Sequence, residues 1–160
     1  MKAVRTLENI WKAAMEAVIL VGVQGAGKST FYRERFFDTH VRINLDMLGT
    51  RKREQLLLAA CLDAGQSFVV DNTNPQASDR ARYIALSRAK GFRVIAYFFD
   101  VPLRDAMRRN NQRKLRKKIP PVAVAGTHKK LEAPSKNEGF DQIFTVQVTD
   151  PAGFVVKEAA

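Results

Sequence analysis

A glycine-rich segment near the start of the chain carries the most specific chemical pattern in the sequence. It reads Gly22-Val23-Gln24-Gly25-Ala26-Gly27-Lys28-Ser29 and matches G-x-x-x-x-G-K-[ST] in full, between an apolar run and a helical pattern. Its glycines let the backbone curl so that N–H groups point inward at phosphate oxygens, and the following helix adds the positive end of its dipole. The segment therefore predicts a site for the phosphates of a nucleotide.

The polar side chains of this phosphate loop have separate expected tasks. Lys28 would bring positive charge to the β and γ phosphates, and Ser29 would offer its hydroxyl to Mg²⁺, so we expect ATP and Mg²⁺ as cofactors. The expected nucleotide-binding residues of the loop are Gly22, Gln24, Gly25, Ala26, Gly27, Lys28, Ser29 and Thr30. A GTPase is disfavoured, because only the short D-x-x-G pattern at residues 46–49 occurs and no N-K-x-D guanine signature follows.

Two carboxylates follow the next two predicted strands, Asp46 after the second and Asp71 at the end of the third. Ligands of open parallel sheets bind at the carboxyl ends of the strands, so both carboxylates should face the phosphate loop. Asp46 is a candidate general base for an acceptor hydroxyl, or alternatively the cap of the following helix. Asp71 is a metal partner, an organiser of the acceptor phosphate or a turn residue. Asn72, Thr73 and Asn74 are candidate donors to the acceptor and are also common turn residues.

A strongly basic segment follows the fourth predicted strand, and only Asp105 opposes its positive charges. The pattern predicts one long helix that opens near Pro102 and fades toward Ile119. Arg109 and Arg113 are four residues apart and should share a helix face, where they would grip triphosphate oxygens and stabilise the transferring phosphoryl group. The alternative is a solvated basic helix. The basic residues are Arg104, Arg108, Arg109, Arg113, Lys114, Arg116, Lys117 and Lys118.

Apolar β-rich runs alternate with helical patterns along the chain, which indicates βαβ units around a parallel sheet. The predicted strands are 17–21, 41–44, 68–71, 92–99 and 143–148, and the other predicted helices are 28–36, 50–64, 77–90 and 122–131. A helix over 1–16 should dock on the domain, and the tail after Asp150 gives no pattern. The aromatic residues expected in the core rather than as base-stacking platforms are Trp11, Phe36, Phe37 and Phe98.

The composition limits the possible function classes. The chain has 160 residues, 46% of them hydrophobic, which suits one globular domain. A formal net charge of +11 favours a polyanionic partner, most simply nucleic acid, although solubility alone is the alternative. Cys61 is the sole cysteine, so no intrachain disulfide can form. No run approaches the roughly 20 apolar residues of a membrane helix, and the expectation is a cytoplasmic protein with no membrane partner.

Several motifs, in order and with similar spacing, resemble the kinase domain of the polynucleotide kinase/phosphatase family. The resemblance runs from about residue 18 to residue 148, nearly the whole chain. It is most specific where residues 70–75 combine with the basic segment and with Glu132-Ala133-Pro134. The motifs that carry it are residues 22–30, Asn44-x-Asp46-x-Leu48-Gly49, residues 70–75, Arg80-Ala81-Arg82-Tyr83, Arg109-Asn110-Asn111, Ile119-Pro120, Glu132-Ala133-Pro134 and Glu138-Gly139-Phe140.

The resemblance implies transfer of the γ-phosphate of ATP to a 5′-hydroxyl end of DNA or RNA. It places Asp46 as the general base, puts Asp71, Thr73 and Asn74 at the acceptor end, and makes the segment with Arg109 and Arg113 a lid. Leu45 stands where the family often has arginine beside the base, so one acceptor contact is missing or moved. No D-x-D-x-T pattern occurs, so the chain should lack 3′-phosphatase activity.

Together these features predict an α/β P-loop kinase fold, with a five-stranded parallel sheet in the order 2-3-1-4-5, flanking helices and a basic lid. We expect one domain over residues 1–160 with its core at about 17–149. The expected activity is a 5′-hydroxyl polynucleotide kinase of nucleic-acid repair, with Lys28, Asp46 and Arg113 catalytic. A kinase of a small metabolite or antibiotic is disfavoured by the net charge of +11. A nucleic-acid-binding ATPase without phosphoryl transfer is disfavoured by the intact Lys28, Ser29 and Asp46.

Overall fold

A six-stranded sheet forms the centre of the protein. The computed structural model describes residues 15–149 and 153–160. Its strands are β1 (Glu16–Val21), β2 (Val41–Ile43), β3 (Phe68–Val70), β4 (Arg93–Phe99), β5 (Gln142–Thr149) and β6 (Gly153–Glu158). The order is β2-β3-β1-β4-β5-β6, and the first five strands in that order are parallel to one another. The predicted order 2-3-1-4-5 is therefore confirmed.

The sixth strand is an element that the sequence did not predict. β6 pairs antiparallel with β5, from Thr149 opposite Gly153 to Phe144 opposite Glu158. Its side chains do not alternate cleanly between apolar and polar, so the usual periodic signal of a strand is weak. Phe154 nevertheless packs edge-on against Phe31, with ring centroids 5.1 Å apart, and β6 thereby covers what would be the free edge of β5.

Six α-helices connect the strands in the described part of the chain. They are α1 (Lys28–Arg35), α2 (Leu45–Leu48), α3 (Arg51–Ala64), α4 (Ala77–Ala89), α5 (Leu103–Asn111) and α6 (Pro121–Lys130). The ends of α3 match the sequence signals, because the Thr50 side chain accepts a hydrogen bond from Arg53 N and Gly65 ends the helix in the left-handed region at φ 68°. Residues 1–14 of the expected helix over 1–16, with Trp11, lie outside the described residues. The end of that prediction was wrong, because Glu16 is the first residue of β1.

The basic segment does not form one long helix, so that prediction was wrong. α5 ends at Asn111, and only a short 3-10 turn over Leu115–Lys117 follows before α6. The reason lies in the buried side chain of Asn110, which donates to the carbonyl of Ile119 at 2.6 Å and accepts from its N–H at 3.0 Å. These two hydrogen bonds close the segment into a loop, and Arg113 lies beyond the helix face that carries Arg109.

Apolar side chains pack on both faces of the sheet. Ile19 and Val70 lie in the layer that includes α3 and α4, while Val18 and Phe31 lie in the layer on the other face. Phe36 is buried, as expected, but Phe37 is 68% exposed, so its assignment to the core was wrong. Among the described residues, no helix is long and apolar enough to cross a membrane.

Candidate active site

The phosphate loop joins β1 to α1 and packs directly against α5. Gly25 and Gly27 have φ values of +79° and +98°, in the left-handed region that favours glycine. A Cβ atom at Gly25 would lie 2.5 Å from the carbonyl oxygen of Ala106, so any larger residue would push α5 away. Gly27 caps α1 without a side-chain hydrogen bond, which leaves the first N–H groups of that helix for an anion.

Lys28 is held inside the loop by the loop's own carbonyl groups. Its side chain is buried, and its Nζ donates to the carbonyl oxygens of Gly22 and Val23, each at 2.7 Å. Burial lowers the pKa of Lys28 to about 8, and the positive charge of Arg113 adds to this lowering, while Asp71 and Asp46 oppose it. A phosphate group at this position would favour the charged form of the lysine.

Ser29 and Asp71 meet at the carboxyl end of β3. Ser29 Oγ donates to Asp71 Oδ2 at 2.9 Å, and the Asp71 side chain is 1% exposed. Its other oxygen, Oδ1, is buried and has no hydrogen-bond partner among the described residues. A serine hydroxyl beside an incompletely satisfied carboxylate is a suitable oxygen-donor set for Mg²⁺. This arrangement favours the interpretation of Asp71 as a metal partner over that of a turn residue.

Arg42 completes this cluster and was not predicted from the sequence. Its Nε donates to Asp71 Oδ2 at 2.8 Å, and its Nη2 donates to Ser29 Oγ at 3.0 Å. The guanidinium also lies 5.9 Å from the centroid of the Tyr32 ring. The available signal was one charged residue between two apolar ones in β2, because alternation places it on the face opposite to Val41 and Ile43.

Asp46 is the second residue of the short helix α2, and its carboxylate is exposed. Asn44 caps α2 by accepting from Met47 N at 2.8 Å, and Thr50 caps α3. The alternative that Asp46 is a helix cap is therefore wrong. Within 15–149 and 153–160, no side-chain hydrogen bond or ion pair holds Asp46, so its carboxylate is available to a ligand.

Two of the three residues after Asp71 use their side-chain amides within the protein. Asn72 Oδ1 accepts from Leu45 N at 2.9 Å, which ties the start of α2 to the end of β3. Asn74 has φ 45°, and its Nδ2 donates to the carbonyl of Leu20 at 2.9 Å. Thr73 accepts a backbone hydrogen bond from Gly22 N at 3.0 Å. Its hydroxyl has no hydrogen bond to the described residues and is the one of the three available to a substrate.

A buried carboxylate that the sequence did not single out supports this arrangement. Glu54, on α3, is 0% exposed and accepts from Tyr83 Oη at 2.7 Å and from Asn72 Nδ2 at 3.2 Å. Arg51 donates to both of its oxygens at 3.1 and 3.2 Å, and Arg82 forms a further ion pair. Glu54 thus links α3 and α4 to the residue that holds α2.

One cavity of about 1720 Å³ brings together the predicted residues. Gly22 is buried behind the lining, where an added Cβ atom would lie 2.9 Å from that of Phe99. The predicted site residues that line the cavity are Gln24, Gly25, Ala26, Gly27, Lys28, Ser29, Thr30, Asp46, Asp71, Asn72, Thr73, Asn74, Arg109 and Arg113. Further basic residues in the lining are Arg33, Arg42, Arg51, Arg82, Lys114, Lys117 and Lys130.

A smaller cavity of about 440 Å³ shares Arg109 with the large one. Val101 and Val148 give it apolar walls, and Asp100 and Asp105 add carboxylates. Arg109 therefore stands between two cavities, of which the larger is lined by many basic residues and the smaller has two carboxylates and two valines in its lining. Its Nη1 is buried and has no hydrogen-bond partner among the described residues, which leaves it available to an anion.

Comparison with known proteins assigns the chain to a family. Residues 18–134 match the sequence profile of a family described as an AAA domain. The chain belongs to this AAA domain family. The part of the chain that matches the AAA domain includes the phosphate loop, Asp46, Asp71 and α5, and it ends before β5 and β6.

Two curated proteins are similar to this chain in sequence and have a more specific description than the AAA domain. A protein of Acanthamoeba polyphaga mimivirus, named as a bifunctional polynucleotide phosphatase/kinase, is 30% identical over 138 residues, 82% of this chain and 33% of the relative. The bifunctional polynucleotide phosphatase/kinase of Schizosaccharomyces pombe is 28% identical over 141 residues, 80% of this chain and 32% of the relative. The chain is therefore distantly homologous to these proteins and spans about one third of their length.

A solved structure supports the assignment of the fold. The gluconokinase from Sinorhizobium meliloti 1021 superposes with a TM-score of 0.59 at 17% identity, over 86% of this chain and 85% of that one. At this level of identity, the likeness concerns the fold alone. The AAA domain of this protein has the P-loop kinase fold, a 2-3-1-4-5 parallel sheet extended by the antiparallel strand β6.

Proposed function

We propose that this chain is an ATP-dependent kinase that transfers the γ-phosphate to the 5′-hydroxyl end of DNA or RNA, with a role in nucleic-acid repair. The observation that carries the proposal is the free carboxylate of Asp46, which is exposed in the same cavity as the phosphate loop and Lys28. The distant homology to bifunctional polynucleotide phosphatase/kinases supports it. The net charge of +11 supports a polyanionic acceptor rather than a small neutral one.

In this proposal the triphosphate occupies the phosphate loop. The free N–H groups at the start of α1 and the ammonium group of Lys28 bind the phosphates, and Arg109 and Arg113 bind them from the lid. The nucleoside base enters the smaller cavity, where Val101 and Val148 contact its faces. Asp100 and Asp105 can accept hydrogen bonds from an exocyclic amino group, which suits adenine.

The residues present also fit a magnesium ion. Ser29 Oγ and the carboxylate of Asp71 would hold it, because both are oxygen donors and Asp71 Oδ1 has no partner within the described residues. When bound, Mg²⁺ supplies positive charge that neutralises the phosphate oxygens. In the described residues, no cluster of three or more His, Cys, Asp or Glu side chains could hold a metal by itself.

The chemical step assigned to this chain moves one proton and one phosphoryl group. The 5′-hydroxyl oxygen attacks the γ-phosphorus, and Asp46 orients this hydroxyl and accepts its proton. The bond between the γ-phosphorus and its bridging oxygen breaks, and ADP leaves with the electron pair. Arg113 stabilises the negative charge on the group in transfer, and Thr73 is free to donate its hydroxyl to the acceptor end.

The substitution Asp46→Asn tests this proposal. It keeps the shape of the side chain, leaves the phosphate loop intact and removes the proton acceptor, so ATP affinity should be unchanged. Transfer to a 5′-hydroxyl oligonucleotide should fall about 10²- to 10⁴-fold, measured in single turnover. The matched control is Asp38→Asn, an exposed carboxylate outside the cavity lining.

The acceptor class needs a separate experiment with the wild-type protein. ATP labelled in its γ-phosphate is offered with 5′-hydroxyl DNA, 5′-hydroxyl RNA and a panel of metabolites and antibiotics, and the labelled product is identified. A polynucleotide product that depends on Asp46 supports the proposal. Label on a small molecule alone, or ATP hydrolysis without any phosphorylated acceptor, would reject it in favour of the corresponding alternative.

A further inference from the structure

Two large apolar side chains are exposed in the lining of the basic cavity. Phe37, which follows α1, is 68% exposed, and Met47, on α2, is 55% exposed. Both line the cavity that contains the phosphate loop. The other exposed large apolar side chains of the described residues lie outside that lining, at Leu56, Leu86, Leu115, Val122 and Val155.

The exposure of Phe37 is specific to its position. The preceding residue, Phe36, is buried and packs edge-on against Phe31 and Tyr97, with ring centroids 5.9 and 5.6 Å away. Phe36 is thus part of the core, whereas Phe37 is exposed to the cavity. Burying a phenylalanine side chain is favourable, so a ligand that covers this ring gains binding free energy from doing so.

Arginine residues accompany each of these apolar side chains. Arg33 lies four residues before Phe37, Arg51 lies four residues after Met47, and both arginines line the same cavity. Met47 also directly follows Asp46, so one of the two exposed apolar residues is next in the chain to the proposed general base. Flat apolar surface flanked by guanidinium groups is the arrangement by which proteins bind single-stranded nucleic acid, with bases stacked and phosphates paired.

We propose that the cavity lining at Phe37 and at Met47 is a binding surface for nucleobases of the acceptor strand near its 5′ end. Phe37 stacks on one base, the Met47 thioether contacts another, and Arg33 pairs with an adjacent phosphate. This inference rests on the proposed polynucleotide kinase function and deepens it. Because any base presents a π face, the surface discriminates against a missing base and not between bases.

The test combines a protein variant with a change in the substrate. Phe37→Ala should raise the KM for a 5′-hydroxyl oligonucleotide about 5- to 150-fold, with kcat and the KM for ATP unchanged. With the wild-type protein, an oligonucleotide that has abasic sites at its first three positions should have a KM raised by a similar factor. On that abasic substrate, Phe37→Ala should not raise the KM further. On the intact strand, Phe37→Tyr should keep the wild-type KM.

Leu86→Ala is the matched control, because Leu86 is also a large exposed side chain but lies on α4 outside the cavity lining. The proposal is overturned if the wild-type protein phosphorylates intact and abasic strands with equal KM. It is also overturned if Phe37→Ala raises the KM for the intact strand and the KM for the abasic strand by the same factor. A third contrary result is a Phe37→Ala variant that keeps the wild-type KM and differs only in having lost self-association in sedimentation. In these cases the proposed kinase function stands. If no polynucleotide is phosphorylated by the wild-type protein, the proposed function itself fails.

Discussion

The substitution Glu54→Gln tests whether a buried carboxylate holds the acceptor side of the cavity in place. Glu54 is 0% exposed and receives hydrogen bonds from Tyr83, Asn72, Arg51 and Arg82. Glutamine has nearly the same shape, but one carboxylate oxygen becomes an amide NH₂ that cannot accept hydrogen bonds. Its hydrogens would then face N–H groups of Asn72 or of the arginines, which can only donate, and Tyr83 would lose a charged partner.

The expected loss in the free energy of unfolding depends on which partners of Glu54 can hydrogen-bond to water instead. Arg51 and Arg82 have side chains that are 60% and 37% exposed, so both can be rehydrated and contribute little to the cost. Tyr83 is buried, and a hydrogen bond to a charged group contributes about 1.5–3 kcal/mol. With the weaker Asn72 contact included, we expect a loss of about 2–4 kcal/mol in the free energy of unfolding. For a chain of this size, that corresponds to a fall in Tm of about 4–16 °C.

Thermal unfolding of Glu54→Gln, compared with the exposed control Glu34→Gln, measures this loss. A second readout follows from Asn72, which holds Leu45 at the start of α2. If Asn72 loosens, kcat for phosphate transfer should fall while the affinity for ATP stays constant, because the phosphate loop is elsewhere. A Tm within about 1 °C of wild type would refute the argument that Glu54 is a structural anchor.

Two further predictions concern the cationic groups that face the triphosphate and the acceptor. Because burial lowers the pKa of Lys28 to about 8 and a bound triphosphate would raise it again, ATP affinity should fall by up to about tenfold per pH unit above that value. Calorimetric titration between pH 7 and about 9.5 checks this, and Lys28→Met should remove the dependence. Replacing Lys114 and Lys117 by alanine should reduce the salt slope of single-strand binding by about 1.4, at about 0.7 per phosphate contact. Lys118→Ala should not reduce this slope, because Lys118 lies outside the cavity lining. An unchanged slope in the double variant would mean that Lys114 and Lys117 do not contact the strand.

The parts of the fold that the sequence predicted are those with a continuous local signal. β1 is an unbroken apolar run from Ala17 to Val21, and α3 has a threonine cap and a terminal glycine at its two ends. β6 has no such pattern. Its position depends instead on a long-range contact, that between Phe154 and Phe31. α5 was predicted too long for the same reason, since the hydrogen bonds that end it join Asn110 to Ile119.

The candidate site shows the same division between local and long-range information. The phosphate loop is contiguous, so its pattern predicted its residues directly. Arg42 and Glu54 are single charged residues whose partners lie far along the chain, and nothing near them in the sequence distinguishes them from surface charges. Phe37 was misassigned because two adjacent phenylalanines look alike in the sequence, whereas only Phe36 faces the other rings.

The charges of the cavity differ in whether the protein already satisfies them. Lys28 is bound to two loop carbonyls, and Asp71 shares one oxygen between Ser29 and Arg42. A buried charge without such partners would destabilise the fold by about 3–5 kcal/mol, so these contacts stabilise the site before any ligand arrives. A triphosphate would replace the neutral acceptors of Lys28 with anionic ones. Asp46 is exposed and has no side-chain partner among the described residues, so an acceptor hydroxyl can bind it without breaking a contact within the protein.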